Sequence, residues 1–130
     1  MKQVETAIKQ YLDERDWNDL RPSDIAKSIS IEAAELLELF QWSDKTIAQV
    51  KSDEALLEEL KKELADVLIY ALDMAVLLDL DTERIILDKL AAVREKYPAE
   101  AMKASRKQNN PDDAGGTLYL QIKKQHREGR

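Results

Sequence analysis

The chain contains no cysteine, and that gap closes off disulfides, thiolate zinc sites and thiol nucleophiles together. Glycine and proline occur only three times each, and with 44% hydrophobic and 35% charged residues the balance is that of a soluble, mostly helical protein. Aromatic residues make up 5%, so each one needs a reason. Long apolar runs are also missing. Stretches such as Val67 to Tyr70 and Met74 to Leu78 are far too short to span a bilayer, and the opening MKQVETAIKQYLDERD has no apolar signal region. The expected location is cytoplasmic. An excess of positive charge is lacking as well. The formal net charge of −6 argues against a nucleic-acid polymer as partner, because phosphate backbones are held by clustered Lys and Arg. The basic residues that gather late, from Lys103 and Arg106 to Arg127 and Arg130, read as a solvated tail.

At 130 residues the chain is one domain large enough to bury a core. Helical spacing of Val4, Ala7, Ile8, Tyr11 and Leu12 predicts a first helix from Lys2 to Arg15. A break at Asp16 to Pro22 follows, with Ser23 or Asp24 as cap of a second helix that ends near Gln41 to Asp44. A polar connection leads to Ser52, the expected cap of the longest helix, which carries a wide apolar face through Leu78. Asp79 to Thr82 turns the chain, Asp81 or Thr82 caps the fourth helix, and Pro98 interrupts that helix after Tyr97. Short links favour antiparallel neighbours, so the expected fold is all-α, an antiparallel four-helix bundle over residues 1–104. Residues 105–130 form a less ordered tail, turn-forming from Gln108 to Gly116, in which Leu118, Leu120 and Ile122 alternate as in a short extended segment. Ile85, Ile86, Leu87 and Leu90 nearly encircle the start of the fourth helix, which predicts a homo-oligomer with two-fold symmetry, a dimer or a tetramer.

Two acidic pairs stand out. Glu32/Glu35 and Glu63/Asp66 are each three residues apart within apolar helical stretches, so both members of a pair point into one small volume. Carboxylates on a face with Leu36, Leu39, Leu64 and Leu68 are expensive unless a cation compensates them. With 26 acidic residues present, pairs such as those formed by Glu54, Glu58, Glu59 and Glu83 are ordinary solvated faces. The named pairs differ because the motif recurs on adjacent helices, where four carboxylates would converge. A di-iron bundle needs histidines, and the lone His126 sits in the tail as a solvated residue. An EF-hand fails because Arg84 stands where its loop needs Gly. Oxygen-only ligation points to Mg²⁺, with Mn²⁺ as a substitute. Such an ion keeps open positions for substrate phosphates, and Trp17, Trp42 and Tyr70 are rings on which a base can stack. Trp42 lies seven residues after Glu35 and Tyr70 four after Asp66, which returns both to the carboxylate face.

The run Ile31-Glu32-Ala33-Ala34-Glu35-Leu36-Leu37-Glu38-Leu39-Phe40-Gln41-Trp42, followed by Glu63-Leu64-Ala65-Asp66-Val67-Leu68-Ile69-Tyr70, resembles the MazG-like nucleoside triphosphate pyrophosphohydrolases, nearest the dCTP pyrophosphatase branch. The resemblance extends from about Arg15 to Pro98. It implies an all-α homo-oligomer that depends on Mg²⁺ and cleaves nucleoside triphosphates to monophosphate and pyrophosphate. It further implies that Glu32, Glu35, Glu63 and Asp66 hold metal, that Trp42 and Tyr70 line the nucleotide pocket, and that Lys89 and Lys96 lie on the phosphate side. Trp17 joins the substrate-binding set. Glu35 is the candidate to orient or deprotonate the attacking water, with Glu38 as the alternative. Relatives often carry Phe-His between the early Trp and the Pro, whereas Trp17-Asn18-Asp19-Leu20-Arg21-Pro22 is one residue shorter, and Val93 stands where they have Asn. Both positions bear on nucleotide recognition. The competing reading is a non-catalytic helical module that binds a basic partner or senses a nucleotide.

Overall fold

The computed structural model describes residues 1–108 and 116–129, and they are entirely helical apart from turns. Among the described residues seven helices follow in order: α1 (Lys2–Glu14), α2 (Pro22–Glu38), α3 (Ile47–Ser52), α4 (Glu54–Leu77), α5 (Thr82–Lys96), α6 (Ala99–Gln108) and α7 (Gly116–Glu128). They divide into two compact units, Met1–Thr82 and Glu83–Arg130. Among the described residues no helix is long and apolar enough to cross a membrane.

The first unit is built around α4, against which α1, α2 and α3 each pack. Its centre is Leu12, only 1% exposed, which meets Ile8 of the same helix and Leu72 of α4, with Val76 and Leu77 packed alongside. Ile25 of α2 and Val50 of α3 are the other buried aliphatic anchors.

The helix ends explain how so few glycines suffice. At the end of α1, Asp16 takes a left-handed φ of 54°, its N–H reaches the Asp13 carbonyl, and the Trp17 N–H reaches back to Leu12. At the end of α4, Asp79 (φ 55°) repeats the pattern, with Asp79 N–H on Val76 and Leu80 N–H on Ala75. These paired bonds form the Schellman closure, which glycine usually supplies and which Asp tolerates better than most side chains. The first of them also fixes where Trp17 leaves the helix.

Several starts differ from expectation. Pro22 does open α2, but its cap position is Arg21 and no side chain caps it, so neither Ser23 nor Asp24 serves. The polar connection before α4 is itself a helix, α3, started by a capping box in which Thr46 Oγ1 accepts from Gln49 N–H and Gln49 Oε1 accepts from Thr46 N–H. The cap of α4 is Asp53 rather than Ser52. Its Oδ1 accepts the Leu56 N–H at 3.1 Å. That bond, and then Lys45 beside it, hold the Asp53 carboxyl below its usual range.

In the second unit α6 and α7 pack on each other, and Tyr97 stacks on Tyr119 with centroids 5.0 Å apart. The expected extended segment at Leu118 to Ile122 is helical, part of α7. Leu118 and Ile122 are one turn apart and half-buried while Leu120 is exposed, so the alternation marked a helix face of i and i+4. Most of the expected turn between Gln108 and Gly116 lies outside the described residues.

Candidate active site

Two helices carry the acidic pairs toward each other. Glu32 and Glu35 lie in the second half of α2, Glu63 and Asp66 in the middle of α4, and among the described residues these two helices make the most extensive contact. Glu32, Glu63 and Asp66 each offer a carboxylate oxygen, and the three oxygens lie within 4.8 Å of one another. Glu35 comes within hydrogen-bonding reach of both Glu32 and Glu63, so all four expected carboxylates gather, and Glu38 adds its field to Glu63.

The electrostatics of the cluster are adverse as it stands. Glu32 is half-buried and its carboxyl is pushed up, first by the hydrogen bond it shares with Glu35, then by desolvation and the neighbouring negative charges. Glu63 is pushed up chiefly by desolvation, with Glu35 and Asp66 adding to it. One oxygen of Glu32 and one of Glu63 are buried without a hydrogen-bond partner. Among the described residues no lysine or arginine forms an ion pair with any of these carboxylates. Buried oxygens left without donors, in a cage of like charges, fit a hard divalent cation. Glu32, Glu63 and Asp66, with one oxygen each inside 4.8 Å, are the residues that would hold such an ion.

Asp66 also stands on the wall of a cavity of about 790 Å³ between α1, α2 and α4, a volume in the range of small-molecule sites. Tyr70, one turn further along α4, lines it, as does Trp17. Trp17 is held edge-on to Tyr11, with centroids 5.8 Å apart, and Arg15 lies over the other ring at 3.9 Å. Two of the three expected base-facing rings are therefore together in the cavity whose wall includes Asp66 of the carboxylate cluster.

Trp42 is elsewhere. It is 90% exposed and does not line this cavity. The seven-residue spacing from Glu35 required a continuous helix, but α2 stops at Glu38 and the chain tightens, with both Phe40 and Gln41 N–H bonded to the Leu37 carbonyl. Lys89 and Lys96 belong to the second unit, where they line a separate hollow of about 470 Å³ with Val93 and His126. His126 donates from Nδ1 to the Ile122 carbonyl at 3.0 Å and is exposed, as expected of a solvated residue.

Spacing arguments missed a buried carboxylate of the cavity. Asp73 follows Asp66 by two helical turns, lines the same cavity, and is only 4% exposed. Its signal was a lone carboxylate inside the apolar stretch Leu68 to Leu78, on the stripe already marked by Asp66 and Tyr70.

Comparison with known proteins bears on what this arrangement is for. Residues 27–110 match the profile of the MazG-like family. dCTP pyrophosphatase 1 of Mus musculus is 32% identical over 101 residues, covering 74% of this chain and 58% of that protein. The Homo sapiens protein of the same name is 33% identical over 103 residues, with the same coverage. This chain thus spans a little over half the length of these curated relatives. The crystal structure of a pyrophosphatase from Archaeoglobus fulgidus DSM 4304 aligns with a TM-score of 0.64 and 33% identity, over 75% of this chain and 92% of that one.

Proposed function

Since the chain belongs to the MazG-like family, we propose that it is a nucleotide pyrophosphatase, a hydrolase that cleaves (d)NTP to (d)NMP and pyrophosphate with Mg²⁺ as cofactor. The proposal extends to a role in nucleotide pool sanitation. The observation that carries the reading is the convergence of Glu32, Glu63 and Asp66 oxygens within 4.8 Å beside a nucleotide-sized cavity.

Glu32, Glu35, Glu63 and Asp66 would hold Mg²⁺, or Mn²⁺ in its place. The ion, when bound, neutralises triphosphate charge and offsets the charge that grows on the leaving pyrophosphate. Asp66, at the junction of cage and cavity, orients the triphosphate end while Trp17 and Tyr70 enclose the base. Glu35 accepts a proton from the water that attacks the α-phosphorus in line, with Glu38 as the alternative base. The new bond is from water oxygen to α-phosphorus, the broken bond is from that phosphorus to the bridging oxygen, and pyrophosphate departs. Trp42 as a stacking ring, and Lys89 and Lys96 on the phosphate side, are proposed from the family resemblance. We further propose that residues 1–104 act as an antiparallel four-helix bundle that assembles as a two-fold homo-oligomer, a dimer or tetramer, which would cover the exposed Ile85, Ile86 and Leu87 of α5.

The test is a screen of common nucleotides with Mg²⁺ in ¹⁸O-labelled water, with products separated by anion exchange. Equimolar monophosphate and pyrophosphate are expected, with the label on the monophosphate. Labelled pyrophosphate, release of inorganic phosphate with diphosphate, or binding without turnover would each remove this function. Light scattering of a fully active monomer would remove the oligomer.

A further inference from the structure

Asp73 is costly to the fold. It sits inside the first unit at 4% exposure, on the face of α4 that also buries Leu72 and Ala75. Its Oδ1 is buried and has no hydrogen-bond partner. Burial alone pushes its carboxyl above the usual carboxylate range. A carboxylate held this way destabilises a protein, and an apolar residue of similar size is the more stable choice. Buried polar groups without partners in native structures call for an explanation, and a ligand is one.

The cavity supplies the explanation. Asp73 lines it together with Asp66 and Tyr70, and the three follow one another at i, i+4 and i+7 along α4. Asp66 belongs to the metal cage, so the triphosphate end is fixed there. Two turns away, with Tyr70 between, is where the far edge of a nucleobase falls once a sugar has been counted in. The remaining titratable groups on the cavity wall are Tyr11 of α1 and Asp24 of α2, and Asp24 has Lys27 as a partner at 3.7 Å. Asp73 is therefore the acidic group on this wall, outside the metal cage, without an ion-pair partner.

We propose that Asp73 reads the nucleobase, its carboxylate accepting a hydrogen bond from an exocyclic amino group. This rests on the cavity being the nucleotide site. An ionised carboxylate accepts and cannot donate. Against an amino group it gains a charge-assisted bond; against a carbonyl oxygen at the same ring position two acceptors meet in a dry site. The substrate class is thus nucleoside triphosphates with an amino-bearing base, favoured over their oxo counterparts.

The experiment compares kcat/KM for dCTP against dUTP, and for dATP against deoxyinosine triphosphate, pairs that differ by amino versus oxo at one position. Wild type is expected to favour the amino member of at least one pair by about ten- to a hundredfold, the span of one charge-assisted hydrogen bond. Asp73→Leu should bring that ratio to within a few-fold of one through a higher KM for the amino substrate, with kcat little changed because the lost contact is remote from the phosphorus. The same variant should melt at a higher temperature. Asp73→Asn keeps the volume and can turn its amide to offer either group, so it too should lower the ratio, by improving the oxo substrate; it reads out even if Asp73→Leu does not fold. A wild type that cleaves both members of each pair equally, or variants that retain the wild-type ratio, would overturn the assignment. Absence of any nucleotide cleavage by wild type would instead overturn the proposed function.

Discussion

Magnesium should raise the melting temperature of this protein, and Glu63→Gln should remove that rise. In the metal-free fold, Glu32 and Glu63 each keep a buried oxygen without a partner, and Glu35 lies within reach of both. A cation that binds this cage in the folded state, and finds no such cage in the unfolded chain, stabilises by mass action. At a hundred times its dissociation constant the gain is about 2.7 kcal/mol. For a chain of this size roughly 3–5 °C accompanies each kcal/mol, so the rise should be about 10 °C. Glu63→Gln keeps the shape, removes one charge, and brings amide hydrogens to oxygens that lack donors. Its metal-free melting temperature should therefore exceed that of wild type, while its response to magnesium and its turnover collapse. Differential scanning calorimetry over a magnesium series, with EDTA and with sodium chloride at matched ionic strength, separates binding from screening. An equal rise with sodium chloride, or a Glu63→Gln protein that still gains the full increment from magnesium, would refute the cage.

The pH dependence of that comparison has a definite sign. Folded Glu32 and Glu63 have raised carboxyl pKa values, so their contribution is complete below the ordinary glutamate value and is lost as pH rises through the folded values. Without metal, the advantage of Glu63→Gln over wild type should accordingly widen between pH 4 and 7, as followed by thermal melts. Leu12→Ala empties the most buried site between α1 and α4 and should cost about 3–5 kcal/mol, measured by urea unfolding; a loss under about 1 kcal/mol would mean α1 is not anchored there. Trp17→Ala should raise KM about ten- to a hundredfold if its ring encloses the base, whereas Trp42→Ala should leave the melting temperature of the isolated subunit unchanged, and kinetics on both will show which ring meets substrate.

How much of this could be read from the sequence follows from how local each determinant is. The Glu32/Glu35 and Glu63/Asp66 pairs were legible because three-residue spacing inside an apolar helix fixes their direction whatever the rest of the chain does. Tyr70 was legible for the same reason. The register of Trp42 was not, since it assumed a helix that ends four residues earlier, in a turn whose backbone bonds to Leu36, Leu37 and Phe40 leave little mark on the residue pattern. The region around Thr46 looked merely polar, because Thr-x-x-Gln acts as a capping box only when both side chains turn inward. At Leu118 to Ile122 a two-residue alternation and a four-residue repeat coincide over so few positions that periodicity cannot separate strand from helix. Asp73 required the cavity, which is made by three helices at once.

The alignment of Asp66, Tyr70 and Asp73 on one helix has a consequence for how this protein can change. The span from Asp66 to Asp73 is set by helical rise, seven steps of about 1.5 Å, and not by the packing of separate parts. Substitutions in α1 or α2 can widen or narrow the cleft, yet none can lengthen that interval. Drift in those walls should therefore alter which rings are admitted sideways, while a ligand of different length would require residues inserted into α4 itself. An insertion there rotates everything beyond it by about 100° per residue and would turn the far end out of the cleft. The helix acts as a fixed ruler. Variation among proteins built this way should accumulate across the cleft and be scarce along it.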